Sequence, residues 1–174
     1  RRIPIESLPE SGLPTVQLMV EGSSATVPAL LDTGSPVTIL NNRAAEALGL
    51  AVSGGDAASG NFLSRAAAKL RADPADTLFI AGADGKPVTL RRTAQEATLA
   101  LATAASEAGG GVAGSAASLG RTKVYVGEIP GLAALGGLGA SAGPAAILGM
   151  DALRPRGRLI YRARAKELLI PQAT

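Results

Sequence analysis

Ala29-Leu30-Leu31-Asp32-Thr33-Gly34-Ser35-Pro36-Val37-Thr38-Ile39-Leu40 encloses one acidic triplet between two apolar runs. A carboxylate in that setting is expected to lose solvent, and a buried charge is tolerated only when it is hydrogen-bonded, paired or neutralised. The triplet offers what is needed. Thr33 brings a hydroxyl that can bond backbone groups, Gly34 allows a tight turn with no Cβ in the way, and backbone N–H groups can then face the carboxylate. Asp32 is therefore the candidate catalytic residue, with Thr33, Gly34 and Ser35 supporting its loop.

The chain has no His and no Cys. Ser-His-Asp and Cys-His mechanisms and the common zinc sites are thereby excluded, and so is a disulfide scaffold. A pair of aspartates that share one proton and activate a water needs nothing beyond carboxylates. No metal and no cofactor are expected. Gly109-Gly110-Gly111-Val112-Ala113-Gly114 matches the dinucleotide-binding glycine pattern, but no acid follows about twenty positions on, and alternating strands and helices are not evident.

At 174 residues the chain suits one domain, and 47% hydrophobic with 18% charged residues places it among folded globular proteins. Aromatic content of 2% leaves the core to Leu, Ile, Val and Ala. The net charge of +3 is mild. The basic cluster Arg154, Arg156, Arg158, Arg162, Arg164 and Lys166 fits no nucleic-acid module and reads as a solvated strand face or turn. The uncharged stretch Ile129 to Met150 contains six glycines and two prolines, which argue for a loop and a core strand rather than a membrane span. The chain starts at Arg1 without a signal-peptide core, so a piece of a longer precursor is expected; nothing in the residues assigns a compartment.

Along the chain, Thr15 to Glu21 and Thr26 to Leu31 read as a β-hairpin around Glu21-Gly22-Ser23-Ser24, delivering Asp32 at its end. Val37 to Leu40 is expected as a strand, and Asn41-Asn42 as the cap of a helix over Arg43 to Leu48 that stops at Gly49. Phe62 to Ala72 suits a second helix. Thr77 to Ala81 and Pro87 to Arg91 form a hairpin around Gly82-Ala83-Asp84-Gly85-Lys86. Ala97 to Thr103 and Thr122 to Val126 read as strands, with residues 104–120 between them as an Ala/Gly-rich insertion or disordered loop. Asp84 and Asp151 suit a turn and a helix start.

Ala145-Ala146-Ile147-Leu148-Gly149-Met150-Asp151-Ala152-Leu153 is an apolar strand ending in glycine and entering a short helix. Paired with the Asp-Thr-Gly run, it resembles the retropepsin-like aspartic proteases, in which such a segment crosses the strand bearing the triplet. Val124-Tyr125-Val126-Gly127-Glu128-Ile129-Pro130-Gly131-Leu132 and the strands Leu159 to Tyr161 and Glu167 to Ile170 extend the resemblance to cellular members of the family.

The resemblance implies an all-β, mainly antiparallel fold: a retropepsin-like acid protease barrel with one or two short helices. It places an N-terminal extension at 1–12 and the protease domain at 13–171. It implies catalysis by Asp32, loop support from Thr33 and Gly34, and packing under the triplet by Ile147, Leu148 and Gly149. With a single triplet the chain resembles the half-size form, completed by a second copy as a homodimer that hydrolyses polypeptides. The two Asp32 carboxylates would then share a proton. Gly82, Ala83, Asp84 and Gly85 are a possible flap over the substrate, or an ordinary surface hairpin. The alternative function is a catalytically inactive dimerisation or peptide-binding module.

Overall fold

Turn chemistry and strand periodicity set the first hairpin. In the computed structural model, which describes residues 1–9, 11–52, 74–81, 85–103, 116–129 and 143–171, β3 (Pro14–Val20) and β4 (Thr26–Leu31) pair antiparallel. The turn between them carries Gly22 at φ 86°, a left-handed conformation that glycine adopts without a Cβ penalty.

β3 and β4 belong to a ten-stranded sheet ordered β6-β7-β10-β5-β11-β4-β3-β8-β9, with β2 (Glu6–Ser7) added against β3. Its other strands are β5 (Ile39–Leu40), β6 (Thr77–Ala81), β7 (Pro87–Arg92), β8 (Ala97–Ala102), β9 (Ala116–Thr122), β10 (Tyr125–Val126) and β11 (Ala146–Leu148). The pairs β4–β11 and β5–β10 are parallel and the rest antiparallel. A second sheet joins β1 (Arg2–Pro4), β13 (Glu167–Leu169) and β12 (Ile160–Arg162). The fold is thus all-β and mainly antiparallel, with two short α-helices among the described residues: α1 (Asn42–Ala47) and α2 (Met150–Leu153).

The main core packs Val16, Leu18, Leu40, Leu99, Leu101, Leu148 and Leu153 with the alanines of α1. None of the described aromatic side chains is fully buried, so branched aliphatics fill the interior. On the opposite face of the sheet, Leu30, Ile39, Val88 and Leu90 pack with half-buried Val37, Tyr125, Ile129 and Ile147.

Several boundaries differ from the sequence reading. The stretch expected as an N-terminal extension holds β1, which pairs with β13, and its Ile3, Ile5 and Leu8 are buried. Residues 116–120, expected inside an insertion, belong to β9, whose apolar Ala117 and Leu119 are buried against β8; residues 104–115 lie outside the described residues. The expected strand from Thr122 to Val126 is broken, since β9 pairs with β8 whereas β10 pairs with β5 and β7. Arg156 departs from the solvated reading of the basic cluster: its Nη1 donates to the Ser118 carbonyl at 2.7 Å on the outer edge of β9. The helix expected over Phe62 to Ala72 and the glycine pattern at 109–114 lie outside the described residues. No described helix is long and apolar enough to cross a membrane.

Candidate active site

β4 carries Asp32 to the rim of the sheet, where the Asp32 N–H still bonds the Leu148 carbonyl at 3.1 Å. The chain then turns on itself. The Gly34 N–H donates to Asp32 Oδ1 at 2.8 Å, and the Ser35 N–H to the Asp32 carbonyl at 3.3 Å. A Cβ on Gly34 would stand 3.2 Å from Asp32 Oδ1, so glycine keeps this close approach open. Because side chains alternate along a strand, Asp32 continues the face of Leu30 two positions earlier.

The segment expected to cross the triplet-bearing strand instead lies within the sheet, between the strands that enter and leave the loop. β11 pairs parallel with β4, matching Ile147 to Leu30 and Leu148 to Leu31, and antiparallel with β5, matching Ile147 to Ile39. Leu148 is fully buried in the main core, whereas Ile147 is half-buried on the Asp32 face. Gly149 fits where nothing larger does: a Cβ there would stand 2.2 Å from the Val37 carbonyl oxygen.

Beyond Gly149 the chain clamps the loop from below. The Met150 N–H donates to the Ser35 carbonyl at 2.9 Å and the Asp151 N–H to the Pro36 carbonyl at 3.2 Å. Thr38, fully buried, donates its hydroxyl to Asp151 Oδ1 at 2.6 Å and accepts the Gly149 N–H at 3.1 Å. Asp151 Oδ1 also accepts the Ala152 N–H at 2.8 Å, in keeping with its reading as a helix-start residue. Ser35 Oγ donates to the Val37 carbonyl at 2.7 Å. These bonds draw Pro36 and Val37 away from ladder pairing, which is why β5 begins only at Ile39 rather than at Val37.

Asn41 fastens the far side of the site. Its Oδ1 accepts the N–H of Ala44 at 2.8 Å, capping α1, and the N–H of Ala145 at 3.1 Å; its Nδ2 donates to the Gly143 carbonyl at 2.9 Å. One buried amide thus joins the helix start to the entry of β11. Sequence reasoning found the cap and missed the second role. It also missed Thr38, although a lone hydroxyl in the run Val37-Thr38-Ile39-Leu40 is the kind of polar residue that needs a buried partner.

The expected desolvation of Asp32 is not met within one chain. Its side chain is half-buried, Thr33 and Gly34 are exposed, and among the described residues the Thr33 hydroxyl makes no hydrogen bond. The physical reason is position, since β4 ends at Leu31 and the loop projects past the sheet. Of the four residues named as a possible flap, Gly82, Ala83 and Asp84 lie outside the described residues, and Gly85 has φ 77°. The β6–β7 hairpin that flanks them turns Leu78, Ile80, Val88 and Leu90 onto the face shared by Val37, Ile39 and Ile147. Among the described residues, no group of three His, Cys, Asp or Glu could hold a metal.

The described residues thus form a mainly antiparallel β-fold with one Asp-Thr-Gly loop, braced by a returning apolar-apolar-Gly strand, an arrangement similar to that of aspartyl proteases. Residues 16–90 match the model of a family described as aspartyl protease, and over that stretch the chain is similar to its members. The matched stretch runs from β3 through Asp32 and α1 into β7, ending before the bracing segment at Ile147 to Asp151. No curated protein matches the chain.

Proposed function

We propose that this chain is an aspartic endopeptidase whose active site is completed by a second copy across a two-fold axis. The observation that carries this reading is Asp32 itself: a half-buried carboxylate held by the Gly34 N–H, on a loop clamped from within and open on its outer side. A second loop of the same kind would close that side, desolvate both carboxylates and place them side by side. Two such groups hold one proton between them. The ionised Asp32 takes a proton from water, whose oxygen attacks the scissile carbonyl carbon, while the protonated partner carboxyl polarises the carbonyl oxygen. Proton transfer to the amide nitrogen then breaks the C–N bond and releases a carboxylic acid and an amine.

Thr33, Gly34 and Ser35 support the loop; Ile147, Leu148 and Gly149 hold it from below. The hairpin tip from Gly82 to Gly85 is proposed as the flap, because its strands pack with Val37, Ile39 and Ile147, which flank the Asp32 loop. The test is cleavage of a diverse peptide library from acid to neutral pH, read by mass spectrometry, with the parent chain beside Asp32→Asn. Cleavage confined to the parent is expected. A folded dimer that cleaves nothing would assign the chain to the non-catalytic peptide-binding reading instead.

A further inference from the structure

The sheet registers align one transverse row on the face of Asp32. Leu30 pairs with Ile147, Ile147 with Ile39, Ile39 with Tyr125, and Tyr125 with Arg92. Directly opposed residues on neighbouring strands project from the same side, and Leu30, Ile147, Ile39 and Tyr125 do pack on this one face. An apolar row, with Leu30 and Ile39 buried and Ile147 and Tyr125 half-buried, therefore runs from beside Asp32 across four strand intervals and ends at a cation.

That cation keeps one buried donor unpaired among the described residues. The Arg92 guanidinium stands 5.7 Å from the centroid of the Tyr125 ring, and its buried Nε has no hydrogen-bond partner. Among the described residues Arg92 makes no ion pair. A cation over a ring face uses none of its N–H groups there, and a buried donor left unmade costs more than a hydrogen bond ordinarily returns. Glu128, the acid nearest Tyr125 in β10's continuation, is already bonded to the Asn42 side chain at 2.7 Å. Arg91 pairs with Val126, which belongs to the opposite face.

We infer that Arg92, stacked on Tyr125, is the anion-binding end of the substrate cleft and selects polypeptides bearing an Asp or Glu side chain to one side of the scissile bond. This rests on the peptidase reading proposed above. Strands are about 4.8 Å apart and an extended peptide advances about 3.3 Å per residue, so four intervals place the acid no more than about six residues from the bond. A planar guanidinium receives a carboxylate through two parallel hydrogen bonds, which an uncharged isostere cannot match. In the two-fold dimer the other copy supplies the same subsite on the opposite side.

The test separates recognition from cleavage. Labelled eight-residue peptides, differing by Glu or Gln at each position in turn, are titrated by fluorescence polarisation against Asp32→Asn, and the same peptides are offered to the parent chain. At one position Glu is expected to bind about tenfold tighter than Gln. In Asp32→Asn with Arg92→Gln that ratio falls to about one, and in Asp32→Asn with Arg92→Glu the preference turns to Lys. Arg92→Lys, which keeps the charge and loses the fork, gives an intermediate ratio and covers the case of an unstable Arg92→Gln. A Glu preference absent at every position, or one that survives Arg92→Gln, overturns the subsite. Cleavage by the parent without that preference leaves the peptidase reading standing and the subsite overturned. Preference in binding without cleavage by the parent does the reverse.

Discussion

The Thr38 hydroxyl and the Asp151 carboxylate meet at 2.6 Å, although 113 positions separate them in the chain. Thr38 also accepts the Gly149 N–H, so one buried hydroxyl joins the strand leaving the Asp32 loop to the segment that returns beneath it. Because the Met150 and Asp151 N–H groups bond the Ser35 and Pro36 carbonyls, the loop is held by backbone and side chain together.

Replacing Thr38 by Val keeps the shape and removes both bonds, leaving Asp151 Oδ1 with only the Ala152 N–H. A loss of about 1–3 kcal/mol in stability is expected, read as a lower urea midpoint at unchanged slope. Asp151→Asn retains an oxygen acceptor and is expected to lose less than Asp151→Ala in the same measurement.

Gly149→Ala sets a Cβ 2.2 Å from the Val37 carbonyl oxygen, a backbone atom that cannot move without displacing the Asp32 loop. A destabilisation of at least about 2 kcal/mol is expected. Gly143→Ala is the control, since its Cβ meets nothing within 4 Å, and its urea midpoint should stay near the parent's.

Asn41→Ala removes a helix cap and two ties to residues 143–145 in one step. Loss of the cap alone costs about 1 kcal/mol, and the orphaned Ala145 N–H raises the total. Asn41→Ser, which restores the cap and not the ties, is expected to recover only part of the loss by thermal unfolding.

Asp32→Asn is expected to leave stability within about 0.5 kcal/mol, because the side chain is half-buried and its amide oxygen still accepts from the Gly34 N–H. Under the shared-site proposal it also acts in trans. Mixing parent chain with an excess of Asp32→Asn should suppress peptide cleavage beyond simple dilution, as mixed dimers replace parent dimers. Cleavage that follows dilution alone would show that each copy works by itself.

Strand periodicity, the turn at Gly22, the Asn41 cap and the Asp-Thr-Gly triplet were legible in the sequence because each rests on neighbours a few residues apart. Ile147-Leu148-Gly149 was legible as an apolar strand ending in glycine, and its link to the triplet only through family resemblance; it lies in the sheet beside the triplet-bearing strand rather than across it. Length and spacing could not show that residues 2–4 pair with β13, because that pairing joins opposite ends of the chain. Nor could composition show that residues 116–120 are strand, since Ala, Ser and Gly resemble linker when their partner strand is out of view.

Local sequence alone determined the candidate acid, the tight turn that presents it and the absence of any imidazole or thiol to assist it. Tertiary structure decided how exposed that acid is, which hydroxyl and carboxylate clamp its loop, and which arginine ends the apolar row beside it. The physical reason is range: turns and caps are satisfied within one stretch of chain, whereas burial and buried hydrogen bonds depend on segments that meet only when the sheet is assembled.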